Sequence, residues 1–504
     1  MSSQNQNEGP PFKRVLIANR GEIALRVMRT AREMGIKTVA VYSDVDRHQL
    51  HVRRADHAVC IGGAAPSESY LRGDRILEVA KQTGADAIHP GYGFLSENAN
   101  FAADCAAANV AFIGPSSEAI RLMGDKVEAR RVAEKAGVPL VPGLKDEVPE
   151  EELPSAALGI GYPVMLKAAA GGGGKGIRIV RDESELLPAF RMAKAEAESA
   201  FGDGRVYLEK FVTKPRHVEI QIIADQHGNV TAWGERECSV QRRHQKLVEE
   251  SPCSVLEPEL RAEMEEASRR LARAVGYVGA GTVEYLYSEG RFYFLEMNTR
   301  LQVEHPITEE RFRVDLVREM FRVCAGFEAA ECTEPQGHSI EIRVNAEDPD
   351  TWFPSLGTIA RQNVPGGPGV RLDSSLYRGF EVTPYYDSML AKLIVHAQDR
   401  HSAIERAIRA LQELRICGVT TSTGIAMRAL QSEPFRSGDY DTSILETIDK
   451  RPPEDVVGHA ALAAALTKYL RTEEVPVEKG AGAGSGLPAW TLVDRAARLG
   501  RRIR

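Results

Sequence analysis

The stretch FYFLEMNTRLQVEHP, residues 292–306, decides the interpretation of the fold because polar and apolar residues alternate along it. On an extended chain, alternate side chains point to the same face. We therefore predict that five polar side chains project together: Glu296, Asn298, Arg300, Gln302 and Glu304. The residues between them are expected to face a core: Leu295, Met297, Leu301 and Val303.

The segment before this stretch completes a predicted antiparallel hairpin. Val283–Tyr287 is β-rich, and a turn at residues 288–290 joins it to the strand that follows. Glu284 then lies on the partner strand, near Glu296 and Asn298. Two carboxylates and a carboxamide are hard oxygen ligands of the kind that Mg²⁺ prefers. The hairpin therefore predicts a divalent metal site.

The end of the polar row has a different chemical character. Arg300 and Gln302 are donors placed to hold a small planar anion, and Glu304 is a candidate general base. The alternative is a solvated strand face, but such faces are usually rich in Thr and Lys. We therefore interpret the row as functional.

A glycine run predicts a phosphate-covering flap. The strand 162–167, ending in Lys167, leads into Gly171–Gly174 and leaves through a second strand at 177–180. Consecutive glycines let backbone N–H groups converge on an anion. No Ser or Thr follows Lys175, so this is not a Walker loop. An ordinary loose hairpin remains the alternative at this point.

The first part of the chain predicts a parallel sheet. Strand and helix patterns alternate over residues 14–113, which is typical of β-α-β units with ligands at the carboxyl ends of the strands. The turn after the first strand, residues 19–22, contains one glycine and no G-x-G-x-x-G motif, which excludes a dinucleotide fingerprint. The loop His89–Phe94 is as typical of a plain turn as of a pocket wall.

Composition excludes several classes of protein. The chain has 504 residues, which predicts about three domains, and its formal net charge of −7 argues against a nucleic-acid binder. The basic cluster at 241–246 is too short to reverse that conclusion, and Arg343, alone on an apolar strand, is by itself more often a structural ion-pair member. The sequence contains no apolar run of membrane-span length and no signal peptide in residues 1–13. Seven cysteines without a C-x-x-C spacing predict a reducing, cytoplasmic location.

With these motifs assembled, the chain resembles biotin carboxylase, an ATP-grasp enzyme that carboxylates biotin with ATP and bicarbonate. The resemblance runs from about residue 13 to residue 450. The matching motifs are RVLIANRGEIA (14–24), HPGYGFLSEN (89–98), MGDK (123–126), QRRHQK (241–246), EMNTRLQVEHP (296–306) and PYYDSM (384–389).

The resemblance implies an α/β protein with the ATP-grasp fold. It implies a Rossmann-like parallel-sheet domain at residues 1–125 and an ATP-grasp domain at 126–327, with a mobile glycine-rich lid at about 140–212. A C-terminal mixed α/β domain is expected at 328–452. Residues 453–504 are expected to form a flexible linker and a basic tail.

The resemblance also implies roles for individual residues. The implied ATP-binding residues are Lys126, Lys167, Gly172, Gly173, Glu209, Lys210, Phe211, Val212, His217, Gln241 and His244. The implied ligands of two Mg²⁺ or Mn²⁺ ions are Glu284, Glu296 and Asn298. The implied bicarbonate and biotin pocket contains Lys246, Arg300, Gln302, Val303, Arg343 and Tyr92, and the implied catalytic residues are Arg300, Glu304, Lys246 and Arg343.

The implied partners follow from what the sequence lacks. It has no Ala-Met-Lys-Met biotinylation motif and no carboxyltransferase region, so we expect biotin on a separate carrier protein and separate carboxyltransferase subunits. No membrane partner is expected, and the final carboxyl acceptor is chosen by another polypeptide. A homodimer or larger complex is expected, although Pro368 stands where the bacterial dimer interface often has Phe.

Two departures from the family pattern leave alternatives open. The flap starts with Ala170 and so has four glycines rather than five, and the usual Thr-Glu-Met-x-Thr-Gly reads TEERFR at 308–313. One alternative is another ATP-grasp ligase that joins an acyl phosphate to an amine. The other is a catalytically silent scaffold protein of a carboxylase complex.

Overall fold

The computed structural model describes residues 10–143, 149–168, 177–201, 204–242 and 245–448, together with 458, 461–466 and 468. The chain divides into two compact units, residues 1–449 and residues 450–504. In the second unit, residues 461–466 are helical. Apart from these and residues 458 and 468, the linker and basic tail expected at 453–504 lie outside the described residues.

The first unit begins with the predicted parallel sheet. Its elements are β1 (Arg14–Ile17), α1 (Gly21–Glu33), β2 (Lys37–Ser43), α2 (Leu50–Arg54), β3 (His57–Gly62), α3 (Gly73–Thr83), β4 (Ala87–His89), α4 (Ala99–Ala107), β5 (Ala111–Phe112) and α5 (Ser117–Gly124), with 3-10 turns at Asp44–Asp46 and Pro66–Glu68. The strand order is β3-β2-β1-β4-β5, and all pairs are parallel. Val15, Leu16 and Ile17 are fully buried, because helices cover both faces of the sheet.

A small antiparallel sheet follows. The elements of this region are α6 (Lys126–Lys135), α7 (Leu153–Ile160), β6 (Val164–Ala168), β7 (Ile177–Val180), α8 (Glu183–Phe201) and β8 (Val206–Lys210). The strand order is β7-β6-β8, and Lys167 pairs with Ile177 across the hairpin. The predicted strand–glycine–strand hairpin is therefore confirmed. Its glycine run, with Ala170, Gly172 and Gly173, lies outside the described residues.

An eight-stranded sheet organises the rest of the unit. Its region contains β9 (Arg216–Ala224), β10 (Val230–Arg242), β11 (Gln245–Ser251), α9 (Pro258–Ala274), β12 (Gly279–Ser288), β13 (Arg291–Asn298), α10 (His305–Phe312), α11 (Leu316–Cys324), β14 (His338–Asn345), β15 (Gly357–Thr358), β16 (Arg361–Asn363), β17 (Val370–Ser374), β18 (Glu381–Val382), β19 (Met389–Ala397), α12 (Arg400–Glu413), β20 (Arg415–Cys417), α13 (Thr423–Gln431), α14 (Glu433–Ser437) and α15 (Ile444–Thr447). The strand order is β13-β12-β9-β10-β11-β14-β19-β17. The expected ATP-grasp and C-terminal regions thus contribute strands to one continuous sheet. β15 pairs with β18, and β16 pairs with β20.

The two faces of this sheet differ in polarity where β14 crosses it. Ile340 and Ile342 belong to the core formed with α12 and α13. Glu341 and Arg343 alternate with them and point to the opposite face, because successive strand residues do. One face therefore builds the core, and the other collects charged side chains.

The predicted hairpin is confirmed as β12 and β13, but two details of the polar row are wrong. First, β13 ends at Asn298, and residues 299–304 turn before α10 begins at His305. The prediction that residues 296–304 form one extended strand with five polar side chains on the same face is therefore wrong. Second, Leu295 is 40% exposed rather than in the core, since a bulge between the Tyr285 and Glu284 pairings leaves it as the extra residue.

Among the described residues, no helix is both long and apolar enough to span a membrane. All seven cysteines are free thiols.

Candidate active site

The amine of Lys246, on β11, lies at the centre of three buried carboxylates. Its Nζ donates to Glu304 Oε1 at 2.6 Å, Glu219 Oε2 at 2.7 Å and Glu284 Oε1 at 3.0 Å. These carboxylates come from three places, with Glu219 on β9, Glu284 on β12 and Glu304 just before α10. The sheet order places β9 between β12 and β10, so residues that are far apart in sequence meet here.

A second cation holds the other oxygen of Glu304. Arg343 Nη2 donates to Glu304 Oε2 at 2.9 Å, and Arg343 Nε donates to Glu249 Oε1 at 2.5 Å. Glu304 is fully buried, so both of its oxygens are satisfied by cations rather than by solvent. Glu304 and Arg343, two of the implied catalytic residues, are therefore in direct contact.

The charges in this cluster fix its protonation. Burial alone would raise the pKa of Glu304, but Lys246 and Arg343 outweigh it and lower the pKa below the usual range. Burial alone would lower the pKa of Lys246, but the acidic groups around it raise that pKa well above its usual value. Glu304 is therefore ionised and Lys246 charged at neutral pH.

Glu284 gathers three of the predicted side chains. Its Oε1 accepts from Gln302 Nε2 at 2.7 Å and from Asn298 Nδ2 at 2.9 Å, in addition to the Lys246 contact. The turn at 299–304 brings Gln302 back to Glu284, although the two are not on one extended strand. The convergence that the sequence predicts is therefore present, but the turn produces it.

The predicted metal ligands are oxygen donors at the β12–β13 hairpin. Glu284 and Glu296 are directly opposite each other on β12 and β13, where like charges repel. Burial raises the pKa of Glu296, and the charge of Glu284 raises it further. Within the described part of the chain, the carboxylate of Glu296 has no hydrogen bond or ion pair. The Asn298 amide oxygen accepts from Arg300 at 3.0 Å, and the charge of Lys126 also acts on Glu296. These oxygen atoms are candidate ligands of a divalent cation.

Arg300 is held by a residue to which the sequence pattern gave no role. Arg300 Nε donates to Glu97 Oε2 at 2.8 Å, and Glu97 Oε1 accepts from the Thr299 backbone at 3.1 Å. Glu97 follows the loop 89–94 in the N-terminal sheet domain. Its motif, HPGYGFLSEN, matches the family pattern, but nothing local indicates that the Glu97 carboxylate reaches residue 300.

Glu219 and Arg236 were also not predicted. Arg236, fully buried, donates from Nε to Glu219 Oε1 at 2.5 Å and from Nη1 to Gln221 Oε1 at 2.7 Å. A signal existed: in the strand 216–224 the polar residues His217, Glu219 and Gln221 alternate with apolar ones, as they do in the row that begins at Glu296.

The predicted phosphate lysine Lys167 pairs with Glu209. Lys167 Nζ lies 2.7 Å from Glu209 Oε2, and Arg130 Nη1 lies 2.7 Å from Glu209 Oε1. The backbone amides of Lys210 and Phe211 already donate to other backbone carbonyls, those of Pro142 and Pro163.

The remaining predicted residues lie around this cluster or outside the described chain. His217 Nε2 is 2.9 Å from Glu284 Oε2, so it lies at the expected metal site. Gln241, on β10, is buried and pairs with Lys246 across the strands. Tyr92 is half-buried, with its carbonyl held by Asn19 at 2.8 Å. Val212 follows β8, and His244 lies outside the described residues.

The charged side chains of Glu309 and Arg311, in the stretch 308–313, form their bonds outside the Lys246 cluster. Glu309 accepts from Arg26 Nη2 at 2.5 Å and from Arg371 Nη1 at 2.9 Å, and Arg311 Nη1 donates to Ser251 at 3.2 Å. Arg371 also bonds Asp373 at 2.8 Å. These charges are used in packing, which removes the reason for suspecting a silent scaffold.

Three family models match the chain in order. They are the biotin carboxylase N-terminal domain at residues 11–120, the ATP-binding domain of the carbamoyl-phosphate synthase L chain at 125–332, and the biotin carboxylase C-terminal domain at 341–447.

Two relatives and one solved structure match this chain over most of their own length. Biotin carboxylase 1 of Bacillus subtilis is 52% identical over 445 residues, which cover 87% of this chain and 99% of the relative. A pyruvate carboxylase subunit of Methanothermobacter thermautotrophicus is 51% identical over 473 residues, covering 93% of this chain and 94% of the relative. The biotin carboxylase domain dimer of Hydrogenobacter thermophilus 2-oxoglutarate carboxylase, solved with MgADP, ADP and bicarbonate, superposes with a TM-score of 0.79 at 47% identity, covering 86% of this chain and 97% of that one.

The three matched domains and the identity over most of the chain support the same conclusion as the ATP-grasp architecture and the buried Lys246 cluster. The chain therefore belongs to the biotin carboxylase family and is an ATP-dependent ligase.

Proposed function

We propose that the Lys246 cluster is where bicarbonate attacks ATP and where biotin N1 is carboxylated. The observation that carries this proposal is the contact of one buried carboxylate, Glu304, with both Lys246 and Arg343 at 2.6 and 2.9 Å. An ionised carboxylate beside two cations suits a site that must bind an anion and take its proton.

The proposed reaction begins with proton transfer from bicarbonate to Glu304. A bicarbonate oxygen attacks the γ-phosphorus of ATP, the bond to the β,γ-bridging oxygen breaks, and ADP and carboxyphosphate form. Carboxyphosphate then splits at its C–O bond into CO₂ and phosphate. Phosphate takes the N1 proton of biotin, N1 attacks CO₂, and Arg343 stabilises the negative ureido oxygen.

Substrate binding strengthens Glu304 as a base. In the unliganded cluster its pKa is lowered, which makes it a weak proton acceptor. Bicarbonate brings a negative charge that draws Lys246 and Arg343 toward itself, and a like charge raises the pKa of a neighbouring carboxylate. Arg300, Gln302 and Val303 complete the proposed bicarbonate pocket, with Tyr92 at its biotin side.

The nucleotide is proposed to bind next to the metal ligands. Glu284, Glu296 and Asn298 would hold two Mg²⁺ or Mn²⁺ ions, which when bound offset the charge of the phosphates. The residues proposed to hold the phosphates are Lys126, Lys167, Gly172 and Gly173. The segment 209–212 is proposed to contact adenine, flanked by His217, Gln241 and His244. Since the amides of Lys210 and Phe211 are already bonded, recognition falls to the other backbone groups of this segment.

We also propose that biotin arrives on a carrier protein and that carboxyltransferase subunits consume the product.

Domain bounds of 1–125, 126–327, 328–452 and 453–504 are consistent with the family models, which divide the chain near the same positions. A dimer is proposed by analogy with the dimeric biotin carboxylase domain. The seven free thiols are consistent with a cytosolic location.

The test is ATP hydrolysis measured with and without bicarbonate and free biotin. We expect hydrolysis to require bicarbonate and to be stimulated by biotin. A rate of hydrolysis that does not depend on bicarbonate, or that requires an amine acceptor, would instead support an ATP-grasp ligase that joins an acyl phosphate to an amine.

A further inference from the structure

A buried lysine with no role so far lies behind the proposed bicarbonate pocket. Lys392, on β19, is fully buried. Its Nζ donates to the backbone carbonyl of Val303 at 2.8 Å. Val303 belongs to the turn 299–304, which carries Arg300 and Gln302 on one side and Glu304 on the other.

Lys392 connects three parts of the chain. Its Nζ lies 3.6 Å from Glu22 Oε1 at the start of α1, and 5.8 Å from the centre of the Tyr92 ring. Glu22 and Tyr92 belong to the N-terminal sheet domain, Lys392 to the C-terminal region, and Val303 to the turn between β13 and α10. The Lys392 ammonium group therefore contacts the turn and the N-terminal sheet domain at the same time.

The position of Lys392 in the sheet relates it to the proposed catalytic residues. Lys392 is directly opposite Arg343 on β14 and opposite Asp373 on β17. Directly opposite residues share a face, so Lys392 and Arg343 approach residues 303 and 304 side by side. Arg343 holds the side chain of Glu304, and Lys392 holds the backbone one residue earlier.

Burying the Lys392 ammonium group is unfavourable unless nearby groups compensate its charge and accept its hydrogen bonds. Removing an ammonium group from water costs several kcal/mol. In the described part of the chain Lys392 makes one hydrogen bond and one longer ion pair, and the charges of the buried carboxyl groups of Glu341 and Asp373 also act on it. An apolar residue of similar length would fill the space without that penalty. The one directional bond that a lysine adds here is the bond to Val303.

We propose that Lys392 is a positioning residue that fixes the Val303 peptide, and with it the bicarbonate-binding turn, while Glu22, Asp373 and Glu341 surround its charge with acidic groups. This rests on the proposed placement of the bicarbonate pocket at Val303. Lys392 touches no reacting atom, so its effect is on bicarbonate binding and not on nucleotide binding.

The test separates positioning from simple charge balance. In Lys392→Met, Glu22 loses its counter-charge, and we expect a lower melting temperature and a bicarbonate KM raised about tenfold. In Lys392→Met with Glu22→Gln, the unpaired Glu22 carboxylate is also removed, so part of the loss in melting temperature should recover; the rest remains because Asp373 and Glu341 still lack the lysine charge. The bicarbonate KM should stay about tenfold high, with the KM for ATP within about twofold of the unmodified protein. Lys392→Arg, which can still donate to Val303, should restore most of the bicarbonate affinity.

A double variant with an unchanged bicarbonate KM would overturn the proposal. The matched control is Arg400→Met, which removes a cation from Glu250 on the opposite face of the sheet and should leave the bicarbonate KM unchanged. Arg300→Ala, assayed in parallel, separates a failure of the Lys392 proposal from a failure of the proposed bicarbonate pocket. If the bicarbonate KM rises in Arg300→Ala but not in the double variant, positioning by Lys392 is wrong. If it rises in neither variant, the proposed pocket is wrong.

Discussion

Lys246 Nζ and Glu304 Oε1 lie 2.6 Å apart, and both side chains are buried. The two residues come from β11 and from the turn before α10, and their contact defines the centre of the site. Because Glu219 and Glu284 also contact Lys246, the amine is shared by three carboxylates. A bound anion must therefore compete for a cation that is already in use.

Glu304→Gln should remove the proton acceptor without changing the size of the side chain. We expect bicarbonate-dependent ATP hydrolysis to fall about a hundredfold or more, with ADP affinity largely unchanged. Steady-state kinetics and ADP titration measure the two effects. Glu310→Gln, a change in the same segment outside the Lys246 cluster, is the matched control. Equal rates in Glu304→Gln and the control would show that Glu304 is not the base.

Glu97→Gln should weaken bicarbonate binding through Arg300. The ion pair of 2.8 Å orients the guanidinium, so its loss should raise the bicarbonate KM about tenfold. The glutamine in Glu97→Gln keeps an oxygen that can accept from the Thr299 amide, so the change removes chiefly the ion pair with the arginine. The combined Glu97→Gln and Arg300→Ala variant should therefore be no worse than Arg300→Ala alone. Additive effects would contradict that relationship.

Glu296→Gln should separate metal binding from protein stability. Without metal, the variant should be as stable as the unmodified protein or slightly more stable, since the repulsion from Glu284 is gone. The Mg²⁺ concentration for half-maximal ATP hydrolysis should rise about tenfold. Melting temperatures in EDTA and a Mg²⁺ titration of the rate measure both. An unchanged Mg²⁺ requirement would exclude Glu296 as a ligand.

Acid sensitivity should follow Glu250 on the core side of the sheet. Burial alone would raise the pKa of Glu250, but the hydrogen bond from His338 and the charge of Arg400 outweigh it and lower the pKa to about 2. A lowered carboxyl pKa stabilises the fold above the unfolded value of about 4.5, and this contribution is lost as pH falls toward 2.

Glu250→Gln should therefore lower the free energy of unfolding by about 3 kcal/mol at neutral pH. The difference from the unmodified protein should shrink as the pH is lowered from about 5 toward about 3. Denaturant unfolding at several pH values measures it. A difference that stays constant over that range would mean that Glu250 does not titrate as described.

Much of the fold followed from local pattern. The parallel sheet, the flap hairpin and the β12–β13 hairpin were predicted because their apolar periodicity and turn residues are contiguous in sequence. The straight row to Glu304 was wrong since alternation alone does not show where a strand ends. Pro306, at the start of α10, was the available sign that a helix begins there.

The rest of the site depended on strand order. Lys246 meets Glu219 and Glu284 only because β9 lies between β12 and β10, and local sequence does not specify which strands are neighbours. Glu97 reaches Arg300 across domains for the same reason. The sequence analysis gave Lys392 no role, because its relation to the site depends on its pairing with Arg343 across two strands.

Bicarbonate, and not water, is expected to attack ATP at the Lys246 cluster. The direct measurement is the transfer of ¹⁸O from labelled bicarbonate into phosphate during biotin-stimulated turnover. One labelled oxygen per phosphate is predicted, because the attacking oxygen stays on phosphorus when carboxyphosphate splits. Phosphate released at the same rate without the label would mean that water is the nucleophile, and the proposed mechanism would be wrong.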